Sequence, residues 1–222
     1  MNETSLLLAL DTCGAVGSIA LGRVAGAQIS ILGEGSVAGG ELSILLVQAI
    51  SDLLASAGAK VEDLAGLIAV AGPGSFTGIR IGLAVVKGFA EAAGLPVVTV
   101  SRLALLAEVA KTQTAVLDAH RGQIYCGIYA EGQTAREMLL TAGEVNSMGG
   151  LPGPVGVCEE AVAQTLEELR GEAEIVRVAA PTAAAAMRSA LSRWRLGEFA
   201  DVAALDGYYL RGADAKVSAR LG

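Results

Sequence analysis

The chain has 222 residues, 53% of them hydrophobic and 18% charged, enough for one large core or two small lobes. Sixteen Lys and Arg against 23 Asp and Glu leave a net charge of −7, which disfavours a protein that grips a nucleic acid backbone unaided. A single histidine, His120, excludes a multi-histidine metal centre, and three cysteines with no CxxC pair (Cys13, Cys126, Cys158) fit reduced cytoplasmic thiols better than a disulfide framework.

The apolar run 6–10 is too short for a secretory leader and meets Asp11 at once; no later segment reaches about 20 uninterrupted apolar residues, so no membrane association is expected. The first forty residues read as three strands, LLLALD, GSIALGR and AQISILG, joined by glycine-containing turns. A helical pattern over 41–57 follows, then a strand at 66–71, a helix beginning near Ser75, a strand at 96–100 and a helix from Ser101.

A second start follows. AVLDAHRGQIYCGIYAEGQTAREMLL repeats the plan of LALDTCGAVGSIALGRVAGAQISIL, an apolar strand ending in Leu-Asp, a tight turn and two further strands. Asp11 and Asp118 then occupy equivalent corners, unless two permissive strand patterns merely look alike. A Gly- and Pro-rich stretch at 148–156, a helix near 159–170, a strand at 174–178 and a helix capped by Thr182 after Pro181 complete a shortened echo of the first half. The expected fold is α/β, a duplicated actin/hexokinase/Hsp70-type ATPase (ASKHA) superfold with the second lobe shortened. The lobes are expected at 1–110 and 111–222.

Two segments carry functional weight. GPGSFTGIRIG, residues 72–82, fails the Walker A pattern and also GxGxxG, because Thr77 stands where the last glycine belongs. Free amides at a helix start beside the Ser75 and Thr77 hydroxyls could accept an anion, or either hydroxyl could simply cap the helix. The candidates for an anion or nucleotide contact are Asp11, Thr12, Gly74, Ser75, Thr77, Asp118 and Arg121.

The helix after the turn confines Arg80, Lys87 and Glu91 to one narrow stripe and is otherwise apolar or small; helix 41–57 has the same excess. Either the two helices cover each other, or they form a helix-to-helix interface with another chain. The second reading is favoured, because little polar surface is left for an outer wet face. Its expected contact residues are Leu46, Ile50, Leu53, Leu54, Leu83, Val86 and Ala90.

LALDTCGAVGSIAL, AGPGSFTGIRIGLAVVKGFAEAAGLPVVTVS, VLDAHRGQIY and YYLR (208–211) resemble, in order and over nearly the whole chain, the bacterial TsaB (YeaZ) family. That resemblance implies a non-catalytic scaffold subunit in the machinery that installs threonylcarbamoyl on tRNA adenosine. It also implies dimerisation through the first two helices of the amino-terminal lobe, the catalytic paralogue TsaD and the ATPase TsaE as partners, and only indirect contact with tRNA. No cofactor is expected for the chain alone, with ATP binding left to the interface of the complex.

The catalytic paralogue carries Val-Asn-His-x-x-x-His after the strand that follows its glycine turn. VSRLALLA puts Arg102 and Leu106 at those ligand positions, and neither binds a divalent ion. Two residues depart from the family pattern: Cys13 replaces a serine and His120 an arginine, with Arg121 next to it. The enzymatic alternatives are a small-molecule kinase, with Asp11 and Asp118 organising magnesium and ATP, or a metal-dependent glycoprotease-like enzyme of the same superfold.

Overall fold

The structure, a computed structural model, describes residues 4–168 and 174–210. Alternating side chains drive the first three segments into an antiparallel meander, β1 (Thr4–Asp11), β2 (Val16–Ala25) and β3 (Gln28–Ala38). Helix α1 (Leu42–Ser56) leads to β4 (Leu64–Gly72), helix α2 (Phe76–Ala93) to β5 (Val97–Ser101), and both strands join the sheet in parallel, giving the order β3-β2-β1-β4-β5.

After α3 (Arg102–Ala110) the plan restarts with β6 (Thr114–Asp118), β7 (Gln123–Ile128), β8 (Arg136–Thr141), α4 (Ala142–Ser147), β9 (Val155–Val157), α5 (Glu160–Glu168) and β10 (Ile175–Arg177). The second sheet runs β10-β9-β6-β7-β8, which is the order of the first sheet strand for strand. This is the duplicated ASKHA fold with a shortened second copy: 15- and 18-residue helices α1 and α2 answer to 6- and 9-residue helices α4 and α5. The chain ends, among the described residues, with α6 (Ala183–Ser189), capped by Thr182 as expected, and α7 (Leu191–Leu196).

Several elements differ from expectation. Strand β9 closes the Gly- and Pro-rich stretch that was read as a loop, and its three residues are too few to show a period. Helix α4 starts from a capping box between Thr141 and Glu144. The helix expected over 159–170 spans 160–168, its last two positions lying outside the described residues.

The chain divides into two compact units, residues 4–101 with 182–207, and 102–181 with 208–210. The division therefore falls at 101/102 rather than 110/111, and the last helices of each repeat belong to the other unit. Leu103, Leu106 and Ala107 of α3 pack with Ala115 and Leu117 of β6, while α6 packs on β1, β2 and β4. A side chain at Gly22 would collide with the Met187 sulfur. On the first sheet α1 and α6 take opposite faces: Leu53 lies over Gly33, which pairs with Leu21, whereas Met187 lies over the next residue, Gly22.

In the second unit the terminal motif is an anchor. Leu210 is buried with Leu103 and Leu117, and Tyr208 packs against the same cluster. Burial pushes the Tyr208 phenol up to about 12, and the Glu137 carboxylate that it hydrogen-bonds adds to the effect. Tyr129 also donates to Glu137, at 2.5 Å. Arg211, the last residue of the YYLR motif, lies outside the described residues.

The thiols are graded by depth. Burial first, and the Glu137 charge second, push Cys126 up to about 12; Cys13 is buried as well, its Sγ donating to the Val70 carbonyl at 3.4 Å, and Cys158 is half-buried. Ellman's reagent at pH 8 should therefore titrate one thiol, Cys158, well before the other two, which should react only on unfolding in guanidinium. Peptide mapping of the labelled protein checks the order.

Candidate functional site

Strands β1 and β4 are parallel neighbours, so their carboxyl ends bring two turns together: Asp11-Thr12-Cys13 and the glycine-rich turn before α2. This is where open α/β sheets place ligands. Here the two turns are locked onto each other. Ser75 N donates to the Cys13 carbonyl at 2.8 Å. The buried Asp11 carboxylate accepts from Cys13 N at 2.9 Å.

Ser75 caps α2, its Oγ accepting from Gly78 N at 3.2 Å. Of the two capping hydroxyls the sequence offers, Ser75 is therefore the one used, and Thr77 faces outward. Gly74, at φ 158°, would put a Cβ against Cys13. A Cβ on Gly78 would strike the Thr12 carbonyl oxygen, and one on Gly82 the Thr12 hydroxyl. The glycines thus permit a close approach of helix to turn. A surface that lacks room for a methyl group there also lacks room for a phosphate.

The structure brings Asp11, Thr12, Gly74 and Ser75 together in the first unit. Asp118 and Arg121 belong to the second, where Asp118 repeats the Asp11 corner: its Oδ1 accepts from His120 N, two residues on, at 2.6 Å. The Asp118 amide donates to Glu159 Oε2 at 2.7 Å. His120 (φ 59°), Arg121 (φ 58°) and Gly122 (φ 73°) run consecutively through the left-handed region. His120 is exposed and pairs through Nδ1 with Asp118 Oδ2 at 2.8 Å. Among the described residues no three His, Cys, Asp or Glu side chains are grouped to hold a metal ion, and Arg102 and Leu106 are both buried.

The expected contact residues require a correction. Leu46, Ile50, Leu53, Leu54, Leu83, Val86 and Ala90 are all buried within this chain, none more than 8% exposed, because they form the faces of α1 and α2 that pack inward. In their place the outer face carries Ile44 (76% exposed), Val47 (55%) and Leu45 (41%) on α1, with Phe76 (54%) at the start of α2.

A signal for this orientation was available. At about 100° per residue, Ile44 falls between the polar positions Ser51 and Gln48, which mark the outward side. The stretch Gly39–Ser56 has the length and mean hydropathy (1.2) of a short membrane span. In the fold, however, Leu42, Leu46, Ile50, Leu53 and Leu54 line one face, and α1 packs on β2 and β3.

A family model described as TsaD, tRNA N6-adenosine threonylcarbamoyltransferase, matches residues 36–204. The chain is 36% identical over 86 residues to the tRNA threonylcarbamoyladenosine biosynthesis protein TsaB of Escherichia coli (strain K12), an alignment covering 36% of this chain and 37% of that protein. It is 34% identical over 91 residues to TsaB of Bacillus subtilis (strain 168), covering 39% and 40%. The aligned part thus spans well under half the length of those relatives. Among solved structures, YeaZ from Pseudomonas aeruginosa matches with a TM-score of 0.73 at 26% identity, covering 93% of this chain and 100% of that one.

Proposed function

We propose, because this chain belongs to the TsaB (YeaZ) family and matches the TsaD model along most of its length, that it serves threonylcarbamoyladenosine formation on tRNA as a non-catalytic subunit. Its task is to present α1 and α2 to the catalytic paralogue TsaD, with a second copy of itself on the same surface when TsaD is absent, and to help the ATPase TsaE dock. Contact with tRNA is left to the paralogue, and nucleotide binding to the assembled complex.

The observation that carries this reading is the outer face of α1, where three large aliphatic side chains stand in water. A surface of that kind is normally covered by another protein. The tight seating of α2 on Thr12 supports the reading from the other side, because the corner where a phosphate would sit is closed by the chain itself.

The test is to mix the purified chain with TsaD and weigh the product by light scattering. A species of the summed mass is expected, with the free chain shifting from dimer toward monomer on dilution. A chain that stays monomeric at high concentration and does not shift in mass with TsaD would overturn the proposal. Calorimetry of the isolated chain with magnesium and ATP addresses the kinase alternative; tight binding with turnover would restore it.

A further inference from the structure

The docking face is apolar except at one place. Along α2 the exposed positions Phe76, Arg80, Ala84 and Gly88 form one row, each four residues from the last. Its middle is nearly bare, since Ala84 is small and a Cβ added at Gly88 would meet nothing within 4 Å. At its amino-terminal end the Arg80 guanidinium lies flat over the Phe76 ring, with Cζ 3.9 Å from the centroid. This stacking holds the long side chain in one pose before any partner arrives, so less rotamer entropy is lost on binding.

When a partner covers this row, the guanidinium leaves water together with the aliphatic groups around it. Arginine cannot shed its proton, so the charge cannot be relieved by neutralisation. A cation desolvated in an apolar contact without an opposite charge is strongly unfavourable. Phe76 occupies one face of the guanidinium plane, which leaves the in-plane N–H fork for the newcomer, and a carboxylate matches that fork.

We infer that the partner docking on α1 and α2 presents a carboxylate to Arg80, which makes Arg80 the specificity determinant of an otherwise unselective apolar face. The inference rests on the proposed docking of TsaD and deepens it. The occupant is TsaD rather than a second copy. Among the described residues the acids on this chain's own exposed α1 and α2 surfaces are Asp52, already bonded by Gln48 at 2.8 Å, and Glu91 at the far end of α2.

Titration calorimetry with purified TsaD tests it, using the full chain and the variants Arg80→Gln, Arg80→Glu, Arg80→Lys and Ile44→Arg, each confirmed folded by its melting curve. Arg80→Gln should weaken binding by about 30-fold or more and Arg80→Glu further, since removing one member of a desolvated pair leaves the other uncompensated. Arg80→Lys should retain most of the affinity. Its amine, activated against carboxylates with a carbodiimide, should form an amide to one TsaD side chain, and changing that acid to arginine should rescue Arg80→Glu.

If Arg80→Gln and Arg80→Glu bind within threefold of the parent while Ile44→Arg abolishes binding, the carboxylate is wrong and the docking face stands. If Ile44→Arg also binds normally, the face itself is wrong. If Arg80→Glu disrupts only self-association, the carboxylate belongs to a second copy and the inference fails.

Discussion

Gly78→Ala should lower the melting temperature by roughly 5–10 °C, Gly82→Val should do more damage still, and Gly88→Ala, six residues further along the same helix, should raise it by about 1–3 °C. These effects follow from what a new Cβ would meet. At Gly78 it is the Thr12 carbonyl oxygen, a backbone atom in a turn pinned by the bonds from Ser75 N to Cys13 O and from Cys13 N to Asp11. Overpacking costs about 1–3 kcal/mol and sometimes more, and for a chain of this size each kcal/mol shifts the melting temperature by about 2–4 °C.

At Gly82 the obstacle is the Thr12 side chain instead. Thr12→Ala should therefore recover part of the loss in Gly82→Ala and none in Gly78→Ala, a coupling that a double-mutant cycle measures. Gly88 has open space around it, so alanine there contributes only its better helix propensity, about 0.5–1 kcal/mol. Equal losses at Gly78 and Gly88 would mean that helix propensity, rather than contact with the Thr12 turn, sets the cost.

The sequence was most legible where a local period or a paired motif exists. The two Leu-Asp corners were visible as a repeat, and in the fold both aspartates accept a backbone bond from the residue two positions on. The start of α2 was legible because a serine ahead of an apolar run has few other uses. Strand β9 was not legible, since three residues after Gly-Pro carry no period. Nor was the exchange of helices between units: α3 and α6 look like ordinary crossovers in sequence, and only contacts with residues far along the chain decide which sheet they cover. The inward and outward faces of α1 were confused because both are apolar. A hydrophobic count cannot orient such a helix; only its few polar residues, Gln48, Ser51 and Asp52, can.

That confusion makes the α1 substitutions the sharpest test of function. Ile44→Arg should leave the isolated chain as stable as before, within about 0.5 kcal/mol, because the side chain stands 76% exposed. It should still reduce binding to TsaD, and to a second copy, by 100-fold or more, since a charge in the middle of an apolar contact must be desolvated with nothing to meet it. Leu46→Arg, two residues on, should behave oppositely. Leu46 is 1% exposed, so a guanidinium there both overfills the core and lacks a counter-charge, and the loss should reach roughly 4 kcal/mol or more. A Leu46→Arg protein that fails to bind would reveal nothing about docking, whereas a folded Ile44→Arg protein that fails to bind would. Paired melting curves and light scattering with TsaD separate the two cases. Full complex formation by folded Ile44→Arg would mean that water is the permanent neighbour of this face, and the scaffold role would have to be sought on another surface of the chain.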